Sequence, residues 1–296
     1  MAQVRANGID VEYEVFGAPD DEPLLLVMGL GAQLVEWPVE LCDLLAERGY
    51  RVIRFDNRDV GLSTKFADAT VDVAATFSAA MSGEPVDAPY LLADMADDAF
   101  GLLDALQLDA AHVVGASMGG MIAQTMAITR PERVRSLTSI MSTTGDPSVG
   151  KATSSDALNV LLQPPPTDRE GYIEYATKVR QILSGPGFPF DHEDARRRGA
   201  TSFDRSFYPI GVGRQLVAIL ASGDRTPALR HVRVPTLVIH GDADPLVGIT
   251  GGQATASAVP DAELLVIEGM GHTLPAEVLP RVADAIAGLA RGAVAG

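Results

Sequence analysis

Apolar and polar positions along the chain fall into short runs that switch between two periods. Residues 4–6 and 9–15 alternate side chain by side chain around Asn7-Gly8, the pattern of two antiparallel strands joined by a tight turn at a sheet edge. Residues 24–28 are apolar throughout, as a strand covered on both faces requires. From 39 to 48 the apolar positions Val39, Leu41, Leu44 and Leu45 recur at helical spacing until Gly49, and 51–55 supplies the next strand. The alternation continues with a helix over 94–106, a strand over 111–115, a helix over 121–130 stopped by Pro131, strands over 134–141, 236–240 and 263–267, and a closing helix over 275–290. This order predicts an α/β architecture: a mostly parallel central sheet with helices on both faces, its ligands bound beyond the carboxyl ends of the strands.

Two segments break the rhythm. Residues 65–92 are too long for a simple connection, carry turn pairs at Gly83-Glu84-Pro85 and Ala88-Pro89, and are expected to border a site. Residues 144–230 contain helical patterns over 155–162, 169–182 and 213–220, interrupted by Pro164-Pro165-Pro166 and Gly185-Pro186-Gly187, and no buried strand. The expectation is a helical cap over 144–230, inserted into a core domain made of 1–143 and 231–296 and sitting over the carboxyl edge of the sheet.

The strand over 111–115 runs straight into Gly115-Ala116-Ser117-Met118-Gly119. With 29 Gly among 296 residues, chance supplies a GxSxG about 0.14 times in such a chain, so the motif alone says little. Its setting says more. A strand breaking sharply into a helix lifts the serine hydroxyl above the sheet edge, and a small residue on each side leaves room where strand end and helix start meet. The alternative role is an ordinary helix-capping serine.

Composition narrows the field. A 47% apolar content supplies a sizeable core, and no N-terminal signal pattern or membrane-length apolar run is evident, so a cytoplasmic protein is expected. A formal charge of -16 argues against nucleic acid or an anionic membrane as partner. The single cysteine, Cys42, allows no internal disulfide and no cysteine-rich zinc site, and its helical apolar neighbours make it a core packer. No cofactor and no metal are expected. Monomer and homodimer both fit the composition.

A serine hydroxyl needs a base, and the base needs a group that fixes its tautomer. Of the five histidines, His112 lies within a strand, His192 and His231 lie in or beside the inserted segment, and His240 ends a strand. His272 sits in Gly269-Met270-Gly271-His272, a flexible loop just after the final strand, where a base could reach Ser117. For the orienting acid, Gly241-Asp242-Ala243-Asp244-Pro245 leaves another strand end; Asp244 is the first candidate, Asp242 the second and Asp146 a third. A tetrahedral oxyanion also needs aimed donors. The amide of Met118 at the helix start and that of Leu30, in the bend Gly29-Leu30-Gly31, are the candidates for the oxyanion hole.

The blocks 24–29, 51–59, 112–121, 235–245 and 269–275 together resemble the α/β-hydrolase superfamily, and more closely bacterial carboxylesterases of the aclacinomycin methylesterase type. The similarity reaches the cap at Ile182-Leu183-Ser184-Gly185 and Pro189-Phe190-Asp191. The resemblance implies the α/β-hydrolase fold, with Ser117 as nucleophile, Asp244 as acid, His272 as base, and Leu30 and Met118 as oxyanion amides. One departure is Met28-Gly29, where many members have His-Gly; any bond made by that histidine side chain is lost. Asp56 and Arg58 match a recurrent acid and arginine, read here as structural ties. Trp37, the only tryptophan, can be pocket wall or packing where the helix begins. Phe188, Phe190, Phe203, Phe207 and Tyr208 can line an acyl or alcohol pocket, or form the core of the cap.

The expected activity is cofactor-independent serine hydrolysis of a carboxylic ester, such as a methyl ester, of a small apolar substrate through an acyl-enzyme. A serine at this position argues against the aspartate-using haloalkane dehalogenase and epoxide hydrolase branches. Lactonase, C-C bond hydrolase and perhydrolase chemistry use the same three residues. A ligand-binding or receptor protein on a hydrolase scaffold, with little turnover, is the rival of a different class.

Overall fold

In the computed structural model, which describes residues 1–295, apolar strands and amphipathic helices assemble as the two periods require. The hairpin of β1 (Ala2–Ala6) and β2 (Ile9–Phe16) turns at Asn7-Gly8, both in the left-handed region, with φ of 46° and 78°. After it come β3 (Glu22–Val27), α1 (Val39–Ala46) and β4 (Tyr50–Phe55). Then follow α2 (Val73–Met81), α3 (Leu92–Ala105), β5 (Ala111–Ala116), α4 (Met118–Thr129) and β6 (Val134–Ile140). The chain between β6 and the next strand carries α5 (Ser155–Leu162), α6 (Arg169–Leu183), α7 (His192–Arg205), α8 (Pro209–Ser222) and the short α9 (Thr226–Leu229). It closes with β7 (Thr236–Gly241), α10 (Thr250–Ala258), β8 (Glu263–Ile267) and α11 (Leu279–Ala295).

The eight strands form one sheet in the order β1-β2-β4-β3-β5-β6-β7-β8. The β1-β2 and β2-β4 pairs are antiparallel and every other pair is parallel. Parallel pairing sets the ends of β3, β4, β5, β6, β7 and β8 along one edge, so the loops after them share one rim. One apolar cluster packs α3, α4 and α10 on one face of the sheet; a second packs α1 and α11 on the other. Cys42 lies in the second cluster without accessible surface, and burial pushes its thiol up to about 12.

Four helices go beyond what the pattern predicts. Residues 65–92 hold α2, and α7, the short α9 and α10 occupy 192–205, 226–229 and 250–258. The helix after Ser117 begins at Met118 rather than at 121, because tertiary packing carries Gly119 and Gly120 into a helix that their propensity disfavours.

The helices between β6 and β7 are fastened to the sheet's rim by buried polar bonds. Arg214 on α8 is 1% exposed and grips both oxygens of Asp59 at 2.8 Å, while Tyr90 and the Phe66 amide bond the same carboxylate at 2.7 and 2.8 Å. Arg205 on α7 bonds Asp56 at 2.6 Å and Gln33 at 2.8 Å, and Arg180 on α6 pairs with Glu36. Removing one partner of a buried pair leaves the other charge uncompensated. Arg214→Met is therefore expected to lower the unfolding free energy by about 3–5 kcal/mol in urea denaturation. Adding Asp59→Asn should restore part of that loss.

Candidate active site

Ser117 sits between β5 and α4 with φ 54° and ψ -120°, a conformation that costs a non-glycine residue about 1–3 kcal/mol and persists only where the surroundings impose it. They do so here. The Ser117 amide donates to the Ile140 carbonyl at 2.9 Å, and its own carbonyl accepts from Ser142 Oγ at 2.8 Å and the Gly120 amide at 2.9 Å. A Cβ added at Gly115 would stand 2.0 Å from the Gly119 carbonyl, and one at Gly119 would stand 2.0 Å from that of Val27. Both positions of the motif are thus small for steric reasons.

The histidine loop brings an imidazole to this turn. His272 Nε2 lies 3.0 Å from Ser117 Oγ, and its Nδ1 lies 2.7 Å from Asp244 Oδ2. An ionised carboxylate only accepts, so the proton belongs on Nδ1 and leaves Nε2 free to accept from the serine hydroxyl. The loop is fixed by its backbone: the His272 amide donates to the Leu183 carbonyl at 2.7 Å, and the Gly187 amide to that of Gly269 at 2.9 Å.

Asp244 is 2% exposed, and its other oxygen, Oδ1, accepts from the Leu246 and Val247 amides at 2.9 Å each. Burial pushes its carboxyl up, but the His240 ring 3.5 Å away, the hydrogen bond and charge of His272 and the Val247 amide outweigh that and hold it well below the usual carboxylate range. Asp242 is exposed and accepts the Gly269 amide at 2.7 Å, bracing the loop that leads to His272. Asp146 accepts the Ser148 amide at 2.8 Å in its own turn. Of the three candidate acids, Asp244 alone is hydrogen-bonded to His272 among the described residues.

The amides of Leu30 and Met118 donate to no acceptor among the described residues; Met118 follows Ser117 directly, and Leu30 follows Gly29. A Cβ on Gly29 would stand 3.2 Å from Ser117 Cβ, so the bend after β3 lies directly against the serine. Asn57 Nδ2 donates to the Met28 carbonyl at 2.9 Å and anchors the start of that bend.

The aromatic candidates disperse. Trp37 has no accessible surface and lies in the same apolar cluster as Leu41 and Cys42. Phe207 joins Tyr172 and Phe203 in an aromatic cluster with centroids 5.5 and 5.0 Å away, and Tyr208 OH accepts from Arg214 at 2.8 Å. Phe190 meets His192 edge to face at 4.7 Å, and Phe188 packs onto the α1-α11 side of the core near the histidine loop. Asp56 bonds the Leu34 and Leu62 amides and Arg58 pairs with Asp98, so both tie loops as the sequence suggests. His240 and Gln215 were not singled out for the site. His240 Nε2 donates to the Val247 carbonyl at 2.8 Å and lies 3.5 Å from Asp244 Oδ2.

A family model described as the alpha/beta hydrolase fold matches residues 22–277. The chain belongs to that family. Rhodomycin D methylesterase DauP of Streptomyces sp. (strain C5) is 32% identical, with 98% of each chain covered. DnrP of Streptomyces peucetius, also a rhodomycin D methylesterase, is 32% identical over 95% of this chain and 94% of its own. The 3-oxoadipate enol-lactonase 2 of Acinetobacter baylyi is 27% identical over 90% of this chain and 87% of its own. Among solved structures, a meta-cleavage product hydrolase from Pseudomonas fluorescens superposes with a TM-score of 0.76 at 21% identity, covering 99% of this chain and 98% of that one, a likeness of fold. This member of the family is a carboxylesterase-like hydrolase. No helix among the described residues is long and apolar enough to cross a membrane.

The depressed carboxyl of Asp244 has a consequence for stability. A group whose native pKa lies below its unfolded value near ~3.9 stabilises the fold above that value and loses its contribution as pH falls through the native one. The destabilisation caused by Asp244→Asn is expected to be largest above about pH 5 and to shrink below about pH 4, read from paired urea titrations.

Proposed function

We propose that this hydrolase cleaves a carboxylic ester by a cofactor-independent serine mechanism, with a methyl ester of a small, largely apolar molecule as the favoured substrate. The observation that carries the reading is His272 standing within hydrogen-bond reach of both Asp244 and Ser117, at 2.7 and 3.0 Å. Ser117 Oγ attacks the ester carbonyl as His272 Nε2 takes its proton. The carbonyl oxygen becomes an oxyanion held by the Leu30 and Met118 amides, which have no competing acceptor to surrender among the described residues. Collapse breaks the bond to the alcohol, which leaves with the proton from His272, and the acyl group stays on Ser117. Water, activated by the same imidazole, then releases the acid and restores the serine. Asp244 stays ionised throughout, fixing the imidazole tautomer and favouring its transient charge.

In this reading residues 144–230 act as a cap over the rim of the sheet, and the protein works in the cytoplasm. Resemblance in sequence to rhodomycin D methylesterases along almost the whole chain supports the methyl ester. A lactone is the second reading, favoured by the 27% identity to an enol-lactonase, and it needs no change in the three residues. A panel of methyl esters and lactones graded in size separates the two by kcat/KM.

Ser117→Ala is expected to lower p-nitrophenyl butyrate hydrolysis by at least about 10³-fold with an unchanged thermal melt, and to lose labelling by a fluorophosphonate probe. A folded wild-type protein that resists the probe would sink the serine mechanism and leave a binding role. Asp244→Asn should cost about 10⁴-fold in kcat by forcing the wrong tautomer, whereas Asp242→Asn should stay within about tenfold of wild type. A greater loss at position 242 would reverse the assignment.

A further inference from the structure

Gln215 is a polar residue within the apolar run of α8, and it has no accessible surface. A buried primary amide needs partners at both ends, and it finds them on two loops of the sheet's rim. Its Oε1 accepts from the Gly31 amide at 2.8 Å, and its Nε2 donates to the Arg58 carbonyl at 2.7 Å. The orientation is fixed, since exchanging the ends would set NH₂ against N–H and carbonyl against carbonyl. Arg58 is itself anchored, with Nε and Nη2 on Asp98 at 2.6 and 2.8 Å. Val212, one turn earlier on α8, occupies the space beside Gly31, where an added Cβ would lie 2.9 Å from its Cγ2.

Leu30 therefore lies between two fixed neighbours. Gly29 abuts Ser117 and Gly31 is bonded to Gln215, while the Leu30 N–H between them has no acceptor among the described residues. We propose that Gln215 is a positioning residue for ester hydrolysis: from the inserted helix α8 it suspends the bend 29–31 so that the Leu30 amide points at the developing oxyanion. This rests on the serine mechanism above and adds that the oxyanion hole is completed by the inserted helices. A donor lost outright costs about 10²- to 10³-fold, and a displacement of about 1 Å costs up to about 10²-fold.

Gln215→Met keeps the length and removes both bonds; its kcat for p-nitrophenyl butyrate should fall about 10- to 100-fold with KM changed less than about threefold. Gln215→Glu, which burial favours in its protonated form, keeps an acceptor for the Gly31 amide and an O–H donor for the Arg58 carbonyl and should lose less. Affinity for an alkyl boronic acid, whose tetrahedral adduct carries the oxyanion, should weaken by a similar factor in the Met variant. Unchanged kcat in folded Gln215→Met, a loss confined to KM, or a Glu variant at least as impaired as the Met variant would overturn the proposal. A measurement on the wild type covers the case in which neither variant folds: amide hydrogen exchange should show Gly31 as protected as the interior of α8. Exchange at the rate of an open loop would likewise overturn it. Failure of wild-type Ser117 to react with a fluorophosphonate counts against the serine mechanism instead, and the Gly31 exchange result stands apart from it.

Discussion

Gly119 lies against the carbonyls of Val27 and Met28, where an added Cβ would stand 2.0 and 2.8 Å from them. That contact seats the first turn of α4 on the end of β3, and three consequences follow from it. The chain leaving β5 must turn at Ser117 with a positive φ, the Met118 amide is left pointing out of the helix start, and the bend 29–31 comes to rest beside the serine. The nucleophile candidate and the Met118 amide are thus placed by one backbone-to-backbone approach, which also brings Gly29 against the serine. The strain at Ser117 is repaid by the hydrogen bonds that Ile140, Ser142 and Gly120 make to its peptide groups.

The helices between β6 and β7 meet the rest of the molecule in a different way. Apolar packing holds the helices on the faces of the sheet, whereas α6, α7 and α8 are joined to the rim through Glu36, Gln33, Asp56 and Asp59. The cations at those joints are arginines, and the geometry explains why they serve. Arg214 engages both oxygens of Asp59 and still reaches the Ala69 carbonyl and Tyr208, a fork of donors that the single ammonium of lysine cannot supply. Bonds of this kind are directional, so they fix how these helices are set against the rim.

Most of the fold was legible because parallel strands buried on both faces read as unbroken apolar runs, and each is followed by a helical period. The positions of Ser117, Asp244 and His272 were legible for a related reason: each leaves the carboxyl end of a strand, and parallel strands deliver their ends to one rim. Helix α7 was not legible, since His192–Arg205 is highly charged and buries little besides Ala195, Gly199 and Ser202. Helix α10 has small residues and a weak apolar stripe, and α2 lies in a segment whose turn pairs dominate its pattern. The bonds of Gln215 were beyond reach because each joins residues more than 150 positions apart. A signal did exist, namely Arg214-Gln215 interrupting an apolar helical run, but only their partners reveal what the interruption is for.

The neutral histidine that the proposed chemistry needs is selected by access as much as by geometry. His112 lies within β5 with no exposed surface, bonded to Ser136, and burial lowers its imidazole to about 4, so it remains uncharged and out of reach of any substrate. His240 is equally buried and spends its Nε2 on the Val247 carbonyl beside Asp244, supporting the acid's loop. His272 keeps some exposure and has a carboxylate behind it, the combination that allows an imidazole to gain a proton in one step and return it in the next. Its loop is pinned by the Leu183 carbonyl at the end of α6, as the bend 29–31 is pinned by Gln215 on α8. The proposed base and the proposed oxyanion hole are therefore both held by the helices between β6 and β7. In the proposed mechanism, substitutions that reshape those helices for a new substrate must preserve the Leu183 carbonyl and the Gln215 amide, or chemistry is lost along with the old specificity.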